Sequence, residues 1–447
     1  MTDHTALQRA LTDKGVRTCI ASYVDMHGVS KSKLVPIAHL NDMMGGSEMF
    51  TGAALDGVPQ EIQDEEVCCM PDADAHVILP WEPSVALFPS DLWCEGKPFE
   101  ACSRNILNRQ IARAAEMGFS LNMGIEAEFF VFRDEPQGRN PVSSLEHLEK
   151  PAYDTTRLMD NFHWLGELVD AMNDLGWDVY SFDHEDGIGQ VEIDFSYSDA
   201  RTMSDRFVFL RMMANAIARK HGAYASFMPK PFGERTGSGA HFNMSLADKA
   251  TGENLFKAAD DPRGCDLSPL GYQFLAGILK HLPAIMGVVA PQVNSYKRLV
   301  KQGSMSGFTW APVFACYGNN NRTNAMRIPK GGGRVELRAA DSAVNPYLGA
   351  ALCLAAGLEG IAEGLDPGEP NTENMYLVSD AEREARGISM LPRTLEEATR
   401  HFADDPLSEA VFGTDMYNAW IAFKDQEWMS YLNHVSDWER DRYLRFF

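Results

Sequence analysis

Basic charge, paired cysteines and long unbroken apolar runs are all scarce in this chain of 447 residues. Lys and Arg number 40 against 63 Asp and Glu, a formal charge of −23. So acidic a surface repels phosphate backbones and anionic lipid headgroups, which argues against nucleic acid or a membrane surface as partner. The eight cysteines (Cys19, Cys68, Cys69, Cys94, Cys102, Cys265, Cys316 and Cys353) form no CxxC pair. Reduced, mostly buried thiols of a cytoplasmic protein are expected, not a disulfide frame or a zinc site. The opening MTDHTALQRALTDKG lacks a basic start and an apolar core, so no secretory signal is expected there. The longest apolar stretches, near 278–291 and 348–358, are short or interrupted by Lys280, His281 and Glu359. Neither is expected to span a bilayer, which takes about 20 apolar residues. A GxxxxGK[ST] loop, a full GxGxxG fingerprint, a GxSxG elbow and an HExxH helix are all missing, which removes the commonest nucleotide, hydrolase and zinc-protease scaffolds.

The texture of the chain changes near residue 100. Before it, short β-like runs at 18–25, 33–36 and 76–80 are separated by Gly and Pro, and helical periodicity is confined to the opening segment and 37–44. After it, SRNILNRQIARAAEMG opens on Ser103 as N-cap and places Ile106, Leu107, Ile111 and Ala114 on one helical face. Comparable helices are expected at about 156–176, 203–222, 268–287, 345–365, 394–403 and 415–442. The pattern predicts an α+β chain, with a small β-rich domain over 1–103 and a large domain over 104–447.

Four segments between the helices alternate with the period of a strand. MGIEAEFFVF sets Glu126 and Glu128 against Ile125, Ala127 and Phe129; GQVEIDF sets Glu192 and Asp194 against Val191 and Ile193. AHFNMSL does the same with His241, Asn243 and Ser245, and GRVELRA with Arg334, Glu336 and Arg338. Each alone also reads as a solvated sheet face. Together they fit a curled sheet with a charged concave face and helices behind it. Glu126 and Glu128 would lie about 6–7 Å apart, which raises the pKa of one unless a cation sits between them. Hard oxygen donors suit Mg²⁺ or Mn²⁺. With Glu185, Glu192, His241 and Glu336 the set suffices for two divalent cations beside nucleotide phosphates. A second stretch holds Lys297, Arg298, Arg322, Arg327, Lys330, Arg334 and Arg338 around the glycines 331–333. It reads either as a basic stripe balancing local acids or as clamps for phosphates and a carboxylate.

These motifs resemble those of the glutamine synthetase family. MGIEAEFF is similar to its first metal strand, HEDGIGQVE to its second metal segment and MPKPFGERTGSGAHFNMSL to its ATP-and-glutamate segment. NSYKRLV, NNRTNAMRIP, RVELR and DSAVNPYL resemble its run of phosphate and glutamate arginines, with order and spacing kept from about 120 to 350. The resemblance implies a small N-terminal β-grasp domain and a large catalytic domain whose curved antiparallel sheet is backed by helices. It implies that Glu128, Glu185 and Glu192 hold one cation and Glu126, His241 and Glu336 the other. Arg298 and Arg338 would hold glutamate carboxylates, with Gly237 beside the α-amino end. Arg322 and Arg327 would grip the ATP phosphates, with Arg334, Ser245 and Asn243 near the nucleotide. The implied reaction is ATP-dependent, passes through γ-glutamyl phosphate and ends in an amide. The implied assembly is a homo-oligomer, a dodecamer of two stacked hexameric rings with active sites shared between neighbours.

The departures concern the amine. Where ammonia-using members have MFDGSS, this chain has MFTGAA with Thr51; where they have a glutamate before APV, it has an insertion (KQGSMSGFT) and Trp310. Thr236 stands where an asparagine is usual, Asn243 replaces a second histidine, and Gly331 sits where a lysine is common. Losing acids and gaining an indole favours a short alkylamine such as methylamine over ammonium. Asp183, two residues before Glu185, is the candidate base for the amine; its bland alternative is an acid bonded to its own loop. The remaining readings are a true glutamine synthetase, a polyamine ligase and, furthest off, a non-catalytic relative. Tyr376, in NMY, stands where some members carry a modifiable tyrosine; an ordinary packed tyrosine is the competing reading.

Overall fold

The computed structural model describes residues 3–136, 138–148, 150–300 and 311–446. The chain opens with α1 (Thr5–Asp13) and then builds a seven-stranded sheet. Its strands are β1 (Thr18–Val24), β2 (Ser30–Pro36), β3 (Met49–Phe50), β4 (Val67–Pro71), β5 (Val77–Leu79), β6 (Glu82–Cys94) and β7 (Lys97–Pro98), with α2 (Leu40–Met44) laid against them. Strand β1 pairs with β2 antiparallel and with β6 parallel. Sequence reading missed β6, because Pro83, Pro89 and Asp91 break its apolar alternation; its inner residues Leu87, Phe88 and Leu92 are buried all the same.

The second sheet has nine strands: β8 (Phe119–Arg133), β9 (Val179–His184), β10 (Gln190–Phe195), β11 (Ser198–Asp199), β12 (Ala223–Ser226), β13 (Ala240–Asp248), β14 (Tyr317–Asn319), β15 (Met326–Ile328) and β16 (Val335–Leu337). Its main path runs β14-β15-β16-β13-β8-β10-β9, antiparallel except for β14 with β15. Ile125, Ala127 and Phe129 of β8 are buried toward the helices, so the intervening Glu126 and Glu128 belong to the other face. Behind the sheet lie α3 (Ser103–Glu116), α4 (Thr155–Asp174), α5 (Ala200–Lys220), α6 (Pro269–Val289) and α7 (Pro346–Glu363). The chain ends in α8 (Asp380–Ala385), α9 (Leu395–Asp404), α10 (Pro406–Phe412), α11 (Thr414–Leu432) and α12 (Asp437–Tyr443). This is the α+β architecture the alternation predicts, with curled antiparallel-rich sheets backed by helices.

Several local expectations need correction. Ser103 is not the cap of α3: Cys102 holds that position, and the Ser103 hydroxyl instead donates to the Asp25 carbonyl. The single helix expected over 415–442 is two helices, because Ser436 caps α12 in a reciprocal box with Glu439. Among the described residues one helix, α6, is long and apolar enough by length and composition to cross a membrane. Most of that span is buried inside the fold, and its Lys280 and His281 pair with Glu359 of α7. All eight cysteines are free thiols.

Asn345 ties the two sheets together. Its side-chain oxygen caps α7 by accepting from the Tyr347 and Leu348 amides. Its Nδ2 donates to the carbonyls of Asp25 and Met26 just after β1, and to Ser103 Oγ.

Candidate active site

The concave face is assembled by register. Glu126 lies opposite His241 (β8 with β13), Glu128 opposite Glu192 (β8 with β10) and Glu192 opposite Asp183 (β10 with β9). Asn243 lies opposite Glu336, and Glu336 opposite Arg327. Six strands thus contribute polar side chains to one surface. They converge into two groups, Glu126–His241–Glu336 and Glu128–Glu185–Glu192, in each of which the potential ligand atoms lie within 4.8 Å of one another. These are the sets that the resemblance divides between two cations.

The two groups differ in charge. Glu126 accepts hydrogen bonds from His241 (2.8 Å) and Asn243 (2.9 Å). Although burial pushes its pKa up, these bonds and the charge of Arg338 hold it down at about 2. In the other group, burial and the Glu128 charge push Glu185 up to about 7 and Glu192 well above the usual glutamate range. Asp194, which lines the same surface, is lifted to about 7 by burial and by Glu126. The raised pKa expected for the Glu126–Glu128 pair therefore falls on the residues around Glu128, whose nearest charges are carboxylates. Such crowding is what a divalent cation relieves, and three carboxylates, or two with an imidazole, are suitable donors for Mg²⁺ or Mn²⁺.

Arginines flank the acids. Glu336, fully buried, accepts from Arg327 (2.6 Å) and Arg338 (2.5 Å). The buried Arg298 donates to the carbonyls of Ala339 and Arg338, each at 3.1 Å. Gly239 makes room at this junction: a Cβ there would sit 2.7 Å from His241 Nε2, 2.8 Å from Arg298 Nη2 and 3.1 Å from Glu128 Oε1. Gly237 is required first by its own loop, since a Cβ would lie 2.3 Å from the Pro229 carbonyl. Gln190, fully buried, links the parts by donating to the Gly237 carbonyl (3.1 Å) and accepting from Thr236 (2.9 Å). It sits inside the GQVE motif, on the same face as Glu192 and Asp194, yet a neutral amide there gave no chemical signal of its own.

Beside Glu126 opens a cavity of about 400 Å³ lined by Asn243, Ser245, Arg334 and the glycines 331–333. Arg334 Nε donates to Asn243 Oδ1 (2.9 Å), which connects this cavity to the first group of ligands. The three glycines take positive φ in succession (93°, 60° and 73°), a left-handed path that side chains resist. Tyr180, Tyr197 and Lys257 also line the cavity and were not foreseen; no motif marks them, Tyr180 lying on β9 and the other two on separate connections. The same holds for Tyr153, a non-glycine residue at φ 63° whose amide donates to the His184 carbonyl (2.8 Å). Its hydroxyl feels the charges of Glu185, Asp183 and Arg322, so the exposed Arg322 loop faces the second group.

Other sequence candidates lie apart. Thr51 ends β3 in the seven-stranded sheet and donates to Glu66 (3.1 Å); among the described residues no contact joins it to either group of ligands. Trp310 and the insertion before it lie outside the described residues. Tyr376 is buried, and its hydroxyl donates to the Ala311 carbonyl (2.5 Å), the environment of a packed tyrosine.

The family model of the glutamine synthetase catalytic domain matches residues 100–443. The chain belongs to the glutamine synthetase family. Family members are ATP-dependent carbon–nitrogen ligases, and so is this one. A glutamate–methylamine ligase from Methyloversatilis universalis is 38% identical over 441 residues, covering 98% of this chain and 99% of that protein. A glutamine synthetase from Rhizobium leguminosarum bv. phaseoli is also 38% identical, covering 97% of each. Among solved structures, a GmaS/ADP complex superposes with a TM-score of 0.91 at 38% identity, covering 99% of this chain and all of that one.

Proposed function

We propose that this glutamine synthetase family member joins the γ-carboxylate of L-glutamate to a short alkylamine, methylamine first among them, using ATP. The observation that carries the reading is the adjacency of two three-ligand groups on β8. Between them they adjoin a nucleotide-sized cavity at Glu126 and the buried Arg298 near Glu128. Glu126, His241 and Glu336 would hold one Mg²⁺ or Mn²⁺, and Glu128, Glu185 and Glu192 the other. Bound there, such ions supply neutralising charge for phosphoryl oxygens.

In this reading Asn243, Ser245 and Arg334 hold the nucleotide, in keeping with the solved ADP complex of similar fold. Arg298 and Arg338 hold glutamate carboxylates, with Gly237 at the amino end. A γ-carboxylate oxygen attacks the γ-phosphorus of ATP, the bond to ADP breaks, and an acyl phosphate results. Arg322 and Arg327 spread the charge of the transferring group. Asp183 then takes a proton from the alkylammonium, the free amine attacks the acyl carbon, and phosphate leaves with its bonding electrons and takes up the second proton shed by the nitrogen. Support for Asp183 comes from a buried Oδ1 without a hydrogen bond and a pKa raised by burial and by Glu128. Both suit a proton acceptor.

Methylamine is favoured by Thr51 and Trp310, which replace acids by neutral groups. The distance of Thr51 from the ligand groups within one chain accords with a ring in which a neighbour supplies it. Ammonia is the second reading, since a glutamine synthetase is as similar to this chain as the methylamine ligase. Phosphate release with glutamate and ATP, measured for methylamine, ethylamine, putrescine and ammonia, decides. A strong preference for ammonia overturns the choice of amine.

A further inference from the structure

A second cavity, of about 300 Å³, lies at the seam between the seven-stranded sheet and α5. A buried charge cluster frames it. Arg104 is 2% exposed and donates to Asp72 (2.9 Å), Asp91 (3.0 Å) and Asp205 (3.0 Å), while the Tyr347 hydroxyl donates to Asp205 (2.6 Å). Arg104 is thereby neutralised in place, with four of its five N–H groups committed to carboxylates.

Two other charges on the wall are uncommitted. Arg206 of α5 sets its guanidinium carbon 5.7 Å from the centre of the Trp177 ring, and among the described residues no hydrogen bond or ion pair engages it. Burial pushes its pKa down and outweighs the opposing charge of Asp199, the sign of a cation partly stripped of water. On the sheet side, the Asp74 carboxylate likewise has no hydrogen bond or ion pair among the described residues; only its amide is used, by Asp72. The lining also holds apolar surface, Trp177 and Phe209 with Val77 and Leu87, beside His76 and Arg201, the latter 3.9 Å from Asp72. A pocket with separated opposite charges and an apolar body is complementary to a zwitterion carrying a hydrophobic side chain.

We propose that the seam cavity binds an α-amino acid with an apolar side chain, its carboxylate on Arg206, its ammonium on Asp74 and its side chain against Trp177 and Phe209. The site is separate from the catalytic cleft: none of its lining residues belongs to the two ligand groups or to the nucleotide cavity. It is connected to them all the same, because α5 packs along β8, the strand that carries Glu126 and Glu128.

The test uses the full chain with saturating L-glutamate, so that an amino acid cannot register by entering the glutamate site. L-phenylalanine and L-leucine are titrated calorimetrically and by thermal shift, beside L-phenylalaninamide, which lacks the carboxylate, and 3-phenylpropanoate, which lacks the ammonium. The expected result is one site per chain for at least one of the two amino acids and none for the analogues. Affinity should fall about tenfold or more in Arg206→Leu and in Asp74→Asn. Asp74 is exposed, so Asp74→Asn remains informative if Arg206→Leu fails to fold. The proposal is overturned if neither amino acid binds under glutamate saturation, if the analogues bind equally well, or if binding survives Asp74→Asn undiminished.

Discussion

Glu192 sits directly across the sheet from Glu128, two carboxylates paired in register on adjacent antiparallel strands. Like charges in that relation destabilise a sheet, and here burial and this neighbour lift Glu192 and Glu185 well above ordinary glutamate values. In protein free of divalent ions these two groups should therefore favour the fold most in acid. The raised groups contribute stability that is present in full below the usual glutamate pKa of 4.5 and is lost as the pH rises through about 7. Adding Mn²⁺ or Mg²⁺ should raise the melting temperature strongly at pH 8 and hardly at pH 5. Calorimetry with and without chelator across that range checks this; a cation effect that is flat in pH would count against ligation by these acids.

Gly239 separates activity from stability. A methyl group there meets the ends of three flexible side chains, His241, Arg298 and Glu128, not backbone. Gly239→Ala should thus cost about 1 kcal/mol or less in unfolding. Displacing those ends by a few tenths of an ångström should still lower kcat/KM at least tenfold, as misplacement of positioning groups does. Denaturant unfolding beside steady-state kinetics tests both halves.

Asp183→Asn should slow amide formation with methylamine about 100-fold or more. ADP formation in a single turnover with glutamate and ATP should be little changed. Hydroxylamine, largely unprotonated at neutral pH, should suffer much less as acceptor because it has no proton to surrender before attack. Equal losses with both acceptors would remove Asp183 from the role of base.

His281 offers a control far from the chemistry. It is buried, with Nδ1 2.7 Å from Asp405 and Nε2 2.9 Å from Glu359. Burial works against its charge, but the two carboxylates win and raise its pKa. His281→Gln should cost roughly 3 kcal/mol at pH 6, the order expected on breaking a buried ion pair. The stabilisation is complete below about pH 6.5 and is lost as the pH climbs through the raised native value. The gap between variant and parent should therefore narrow toward pH 9, with kcat unaffected at 25 °C.

What was legible in the sequence is what alternates. Period-two runs such as MGIEAEFF and AHFNMSL show which side chains share a face, and family motifs show which faces meet. Neither shows partners brought in from distant connections: Tyr153, Tyr197 and Lys257 reach the cleft from segments outside the strands, whose positions depend on the finished sheet. Strand β6 was invisible because prolines occupy it, and a proline is tolerated there since β6 crosses from one partner set to another along its length. The break before α12 was readable, as Ser436 and Glu439 stand three apart; the apolar periodicity on both sides masked it. Glu126 defied expectation because its carboxylate answers to His241 and Arg338 more than to Glu128.

The amide of Asn345 has a mechanical consequence. By capping α7 while gripping the turn after β1, it bolts the seven-stranded sheet to the helices behind the nine-stranded one, at a point only a few residues from Arg338. A clamshell rotation of one sheet against the other would shear that bolt. Access to the cleft is then set at its rim, where the separate connections bearing Tyr153 and Arg322 lie.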